Sequence, residues 1–194
     1  MTTEQRLPRT PFTPTEASRQ GVPGSTLRRM ADSGHVERIA HGHYAVTEEV
    51  DYDIELATAR VRAPEATICL TSALVRHGLV DAIPSTTDLA LPRGRWRPVG
   101  QASLRWHTFD ARTFDIGRSM TAIPGTREQI GLYSAERSLV DAFRLRSLVG
   151  YEVAVEALRE WLSRRGSSPA DLVDVATRLP RARTPITQAL SFLA

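Results

Sequence analysis

The chain has 194 residues, 41% of them hydrophobic and 24% charged, and a formal net charge of +3, the balance of a globular protein of one large domain or two small ones. It has no run of about 18 apolar residues for a membrane span, its opening MTTEQRLPRTP lacks the apolar core of a secretory signal, and its single cysteine, Cys69, excludes an internal disulfide or a cysteine-rich zinc site and fits a reducing cytoplasm. All 25 basic residues are arginine, which removes the usual phosphate loop, the kinase strand lysine, Schiff-base chemistry and the carboxylate–lysine nuclease core.

The most informative stretch is FTPTEASRQGVPGSTLRRMADSGHVERIAHGHYAV, residues 12–46. Thr13 is placed to cap a first helix, Pro14 fits its first position and Glu16 completes a capping box, with Phe12 and Ala17 at the positions of a hydrophobic staple. Gly21-Val22-Pro23-Gly24 breaks that helix. A second helix is predicted from about Ser25 to Ser33, with Leu27, Met30 and Ala31 at core spacing and Gly34 after its end. Residues 35–40 and 43–46 then read as two strands around His41-Gly42. Helix, tight turn, helix, hairpin is the order of a winged helix-turn-helix, whose second helix enters a DNA major groove. The core stripe leaves Ser25, Thr26, Arg28 and Arg29 pointing outward, short hydroxyls and forked guanidiniums of the kind that reach phosphates and base edges. Arg38, His41 and His43 are the candidate wing contacts.

The acids Glu48, Glu49, Asp51, Asp53 and Glu55 follow, favouring the start of a helix over about residues 51–63 that Pro64 stops. The composition change places a boundary near residue 48, giving a DNA-binding domain over 1–48 and a second domain over 49–194. In the second domain strands are predicted over 67–70, 87–91, 102–109, 116–123 and 129–133. Thr71 or Ser72 is expected to cap a short helix that ends at Gly78. Between the second and third strands, PRGRWRPVG is a basic loop in which Arg93, Arg95 and Arg97 flank Trp96, a further candidate contact for nucleic acid or a partner. Four helices are then predicted. Ser134 starts one running to about 148, a second spans about 151–165, and Ser168-Pro169 and Thr184-Pro185 start the last two. The fold class is therefore α+β: an N-terminal winged helix-turn-helix, then a mixed domain with a small sheet and a helical C-terminal half.

Three blocks in order, GHVERIAHGHYAV, TSALVRHGLVD and SAERSLVDAF, resemble the AbiEi family of antitoxins, the antitoxin halves of bacterial two-gene toxin–antitoxin systems. The resemblance implies a winged helix that binds inverted repeats in double-stranded DNA upstream of its own operon, and negative autoregulation. It also implies a C-terminal domain acting against a cognate nucleotidyltransferase-like toxin. In one respect the chain departs from a three-helix winged domain: so few residues precede Phe12 that the first wall of that core is expected to be one short turn or to come from the second domain.

No catalytic, cofactor or metal site is read from the sequence. His41 and His43 form an H-x-H pair without further ligands at closed-site spacing. Asp81, Asp88, Asp110 and Asp141 are scattered, and Asp141 lies four residues after Arg137, the spacing of an ion pair within a helix. Ser134 and Ser138 have no attached base. Two other function classes stay open on the sequence: neutralisation of the toxin by covalent modification such as phosphorylation, and a transcription factor with a ligand-sensing second domain.

Overall fold

Local chemistry sets the first helix where the sequence places it. In a computed structural model of the chain, which describes residue 3, residues 6–47 and residues 53–193, helix α1 spans Pro14–Arg19 behind Thr13. The Thr13 hydroxyl accepts from the Glu16 backbone N–H at 3.3 Å, and the Thr13 N–H donates to Glu16 Oε2 at 2.7 Å. That backbone hydrogen bond, then the hydroxyl's, hold the Glu16 carboxyl below its usual range. A depressed carboxyl stabilises the fold above its unfolded pKa and loses that contribution as the pH falls through the folded one. Thr13→Ala is expected to cost about 1 kcal/mol in urea denaturation near neutral pH, and less at a pH where Glu16 is protonated. An equal loss at both would mean that the bond the Thr13 hydroxyl donates to the Glu16 carboxylate, 2.8 Å long, contributes nothing.

Helix α2, Gly24–Asp32, follows the Gly21–Pro23 turn and buries Leu27 and Met30, while Ala31 is half-buried. Strands β1, Val36–Ala40, and β2, His43–Val46, pair antiparallel around Gly42, whose φ of +69° suits glycine at the hairpin tip. Phe12 adds an antiparallel bridge to Tyr44, with its N–H donating to the Tyr44 carbonyl at 2.9 Å and its ring stacked on Tyr44. Leu7, Phe12, Ala17, Val22, Leu27, Met30, Val36 and Val46 form one apolar core. The segment before α1 therefore supplies two of its members, Leu7 and Phe12, and among the described residues no α-helix precedes α1.

The chain divides into two compact units: residues 1–64 with 122–130, and residues 65–121 with 131–194. The expected boundary near residue 48 and the acids Glu48, Glu49 and Asp51 lie outside the described residues. Helix α3, Ile54–Arg62, belongs to the first unit and starts where the Asp53 carboxylate accepts from the Leu56 N–H at 3.0 Å. Within the same unit the Arg60 guanidinium donates to the Gln129 carbonyl at 2.7 Å.

The second unit is built on a mixed sheet. The strands are β3 (Thr67–Ile68), β4 (Thr87–Pro92), β5 (Leu104–Phe109), β6 (Arg118–Ala122) and β7 (Gln129–Tyr133), in the order β5-β4-β3-β7-β6, with Ala122 and residues 129–130 counted in the first unit. β4 runs parallel to β5 and β3 parallel to β7, whereas β3 and β4 are antiparallel. Helix α4, Leu70–Arg76, starts earlier than expected, and neither Thr71 nor Ser72 caps it. Ser72 is instead buried, its hydroxyl accepting from the Asp88 N–H of β4 at 2.8 Å, so a tertiary bond takes the oxygen that a cap would use.

The C-terminal half is helical: α5 (Ala135–Arg144), α6 (Arg146–Val149), α7 (Tyr151–Ser163), α8 (Pro169–Arg178) and α9 (Arg183–Leu193). Ser134 and Ser168 cap α5 and α8 as expected. The expected helix to residue 148 is divided into α5 and α6 at Leu145, and α9 begins one residue before Thr184, which is therefore not its cap. Leu139, Val140, Phe143, Ala154, Leu158, Trp161, Leu172 and Ile186 lie in their shared core with Leu74 and Leu79.

Candidate nucleic-acid interface

The winged unit presents the residues singled out by the sequence on three adjoining elements. Because Leu27 and Met30 turn inward, the outer face of α2 leaves Ser25, Arg28 and Arg29 exposed and Thr26 half-buried. Neither guanidinium has a carboxylate partner among the described residues. Arg28 lies mid-helix and Arg29 in the last turn, and the first turn holds no acid, so the outward guanidiniums give this face of α2 positive charge.

The wing is organised differently. Arg38 is exposed on β1, and its Nη2 donates to His41 Nδ1 at 3.0 Å. His43 is half-buried, and its Nδ1–H donates to the His41 carbonyl at 3.1 Å. The His41–His43 pair is thus part of the hairpin's own bonding. Among the described residues no group of three or more His, Cys, Asp or Glu could hold a metal ion.

Arg93, Arg95 and Arg97 lie in the second unit, on the loop that joins the parallel strands β4 and β5, and all three are exposed. Arg95 is spent on an ion pair with Glu65, Nε to Oε2 at 2.5 Å. Arg93 and Arg97 have no carboxylate partner among the described residues, and Trp96 between them is 63% exposed. The fold therefore gathers the α2 and wing residues in one unit and places the arginine loop in the other.

The second unit also holds buried polar groups. Arg137 is 0% exposed, with Nε on Asp141 Oδ2 at 2.9 Å and Nη1 on the carbonyls of Thr113 and Ile116 at 2.8 and 2.7 Å. Its guanidinium lies 4.3 Å from the centre of the Tyr133 ring. The helix pair expected from spacing is present, but as the centre of a buried network. The one available signal was Asp141 standing inside the apolar run Leu139–Phe143. Asp88, read as a scattered acid in the sequence, meets His107 at 2.8 Å as a diagonal neighbour, because the parallel register of β4 and β5 sets Asp88 opposite Arg105 and Ala90 opposite His107. Cys69 is fully buried, and desolvation pushes its thiol well up, so it is an inert core residue.

No helix among the described residues is long and apolar enough to cross a membrane. By sequence, no curated protein matches the chain. The fold is similar to the crystal structure of the RV2827C protein from Mycobacterium tuberculosis, with a TM-score of 0.63 and 17% identity over 98% of this chain and 72% of that one. At that identity the likeness shows a shared fold. Residues 7–47, the core and hairpin of the winged unit, match the family described as transcriptional regulator, AbiEi antitoxin. The likeness to that family therefore rests on the winged module, residues 7–47.

Proposed function

We propose that this regulator binds inverted repeats in its own promoter through the winged unit, represses that operon and neutralises a cognate nucleotidyltransferase-like toxin. The observation that carries the DNA-binding part is the exposed Arg28 and Arg29 on the outer face of α2, without a carboxylate partner among the described residues, inside the segment that matches the regulator family. In this reading Ser25, Thr26, Arg28 and Arg29 face the major groove, and Arg38, His41 and His43 place the wing on the flanking backbone. Neutralisation is assigned to the second domain, residues 49–194.

The test is a gel shift on the DNA upstream of the gene. Arg28→Ala/Arg29→Ala is expected to lose about 1–3 kcal/mol for each base contact removed while unfolding at the same urea concentration as the parent. Unchanged affinity would take α2 out of the interface. Neutralisation is tested separately, by co-expression with a neighbouring nucleotidyltransferase gene: growth rescued by the full chain supports the assignment, and rescue retained by the double variant separates it from DNA binding. Continued growth arrest with well-expressed regulator would overturn it.

A further inference from the structure

One groove in the second unit has a charge opposite to that of the chain as a whole. It lies between α7 and the residues after α4, with a volume of about 700 Å³. Its apolar lining comes from Leu79, Val80 and Val155, and Tyr151 stands at one end, 55% exposed although its ring meets Phe143 edge-on. Along it lie the carboxylates of Asp81, Glu152, Glu156 and Glu160, opposed by the guanidinium of Arg159 and, on Glu160, by that of Arg164. In a protein of net charge +3 this is a local inversion.

The groove is built rather than incidental. The other face of α7 buries Ala154, Ala157, Leu158 and Trp161, which fixes the orientation of the helix. Arg164 then ties its C-terminal end to the opposite wall, donating to the His77 carbonyl at 2.7 Å and to that of Gly78, while it pairs with Glu160 at 3.1 Å. Asp81, Glu152 and Glu156 are exposed and have no ion-pair partner among the described residues. Ile83, two residues beyond Asp81, is wholly exposed.

We propose that this groove docks a cationic amphipathic helix of a partner protein. The acids at 152, 156 and 160 recur every four residues along α7, so they form a row about 12 Å long. A helix laid alongside it presents side chains at the same repeat, apolar anchors toward Leu79, Val80 and Val155 and arginine or lysine toward the carboxylates. A nucleic acid is repelled by the same row. Fixed walls reduce the ordering cost of binding, and the charge pattern sets the orientation and the choice of partner.

The probe is a synthetic helix with leucine on one face and arginine on the other, titrated into the full-length protein by calorimetry. It is expected to bind with one-to-one stoichiometry, and Glu152→Arg/Glu156→Arg is expected to weaken it about tenfold or more. Glu152→Gln/Glu156→Gln is expected to give an intermediate loss. Both sites are exposed, and an unchanged urea transition verifies that the variants are folded. A leucine–glutamate helix and a scrambled leucine–arginine peptide are expected to bind much more weakly. The proposal is overturned if the leucine–arginine helix fails to bind, if the charge-reversed protein binds it equally, or if the scrambled peptide binds as well. It is overturned also if light scattering shows concentration-dependent self-association that the charge reversal abolishes, since the occupant would then be a second copy of this chain.

Discussion

Asp141→Ala is expected to destabilise the protein by about 3–5 kcal/mol, a large share of the roughly 5–15 kcal/mol that holds an ordinary domain folded. The carboxylate is itself buried and takes Arg137 Nε on one oxygen and Arg144 Nε, at 2.6 Å, on the other. Removing it leaves the Arg137 charge, 0% exposed, without a carboxylate partner among the described residues. Its remaining contacts, two carbonyls and the face of Tyr133, offset only part of that cost. Arg137→Met/Asp141→Leu is expected to recover part of the loss, because it removes both charges together. Recovery stays incomplete because the Thr113 and Ile116 carbonyls lose their donor. Urea denaturation of the two variants measures both effects. A loss below about 1 kcal/mol for Asp141→Ala would mean that the pair is solvated like a surface ion pair.

What could be read from the sequence was whatever its neighbours in the chain decide. Thr13 with Glu16, Ser134, and Ser168 with Pro169 each cap a helix through atoms three residues away, so a short window contains the whole cause. Ser72 shows the limit. Its local context is that of a cap, yet its hydroxyl serves the Asp88 N–H on a strand that follows later in the chain. The parallel pairing of β4 with β5 is long-range in the same way: two apolar runs joined by a turn-rich loop carry no signal of their relative direction. The assignment of residues 122–130 to the first compact unit has no signature in that segment's own composition. The candidate interface was legible because exposure on α2 follows directly from the inward stripe of Leu27 and Met30. The α7 groove was not, because its apolar lining comes from two segments about seventy residues apart.

Operator affinity is expected to fall about a thousandfold between 50 and 200 mM salt. Each winged unit brings three guanidiniums, Arg28 and Arg29 on α2 and Arg38 on the wing, all exposed. An inverted repeat occupied by two units then engages about six phosphates, and each releases counterions with a slope near −0.9, for a total near −5. The modest net charge of +3 makes this a local effect of the unit's surface, not of the protein's overall field. The variants separate the two uses of arginine. A guanidinium on a phosphate lowers the slope by about one when replaced, and weakens all sequences alike. A guanidinium on a base edge leaves the slope nearly unchanged and relaxes discrimination at one base pair. Because Arg38 is held by His41 at 3.0 Å, Arg38→Ala is expected to behave as the first kind, and Arg28→Ala or Arg29→Ala, on the outer face of the helix that enters the groove, to include the second. A slope near zero for the parent protein would show that these arginines do not contact DNA.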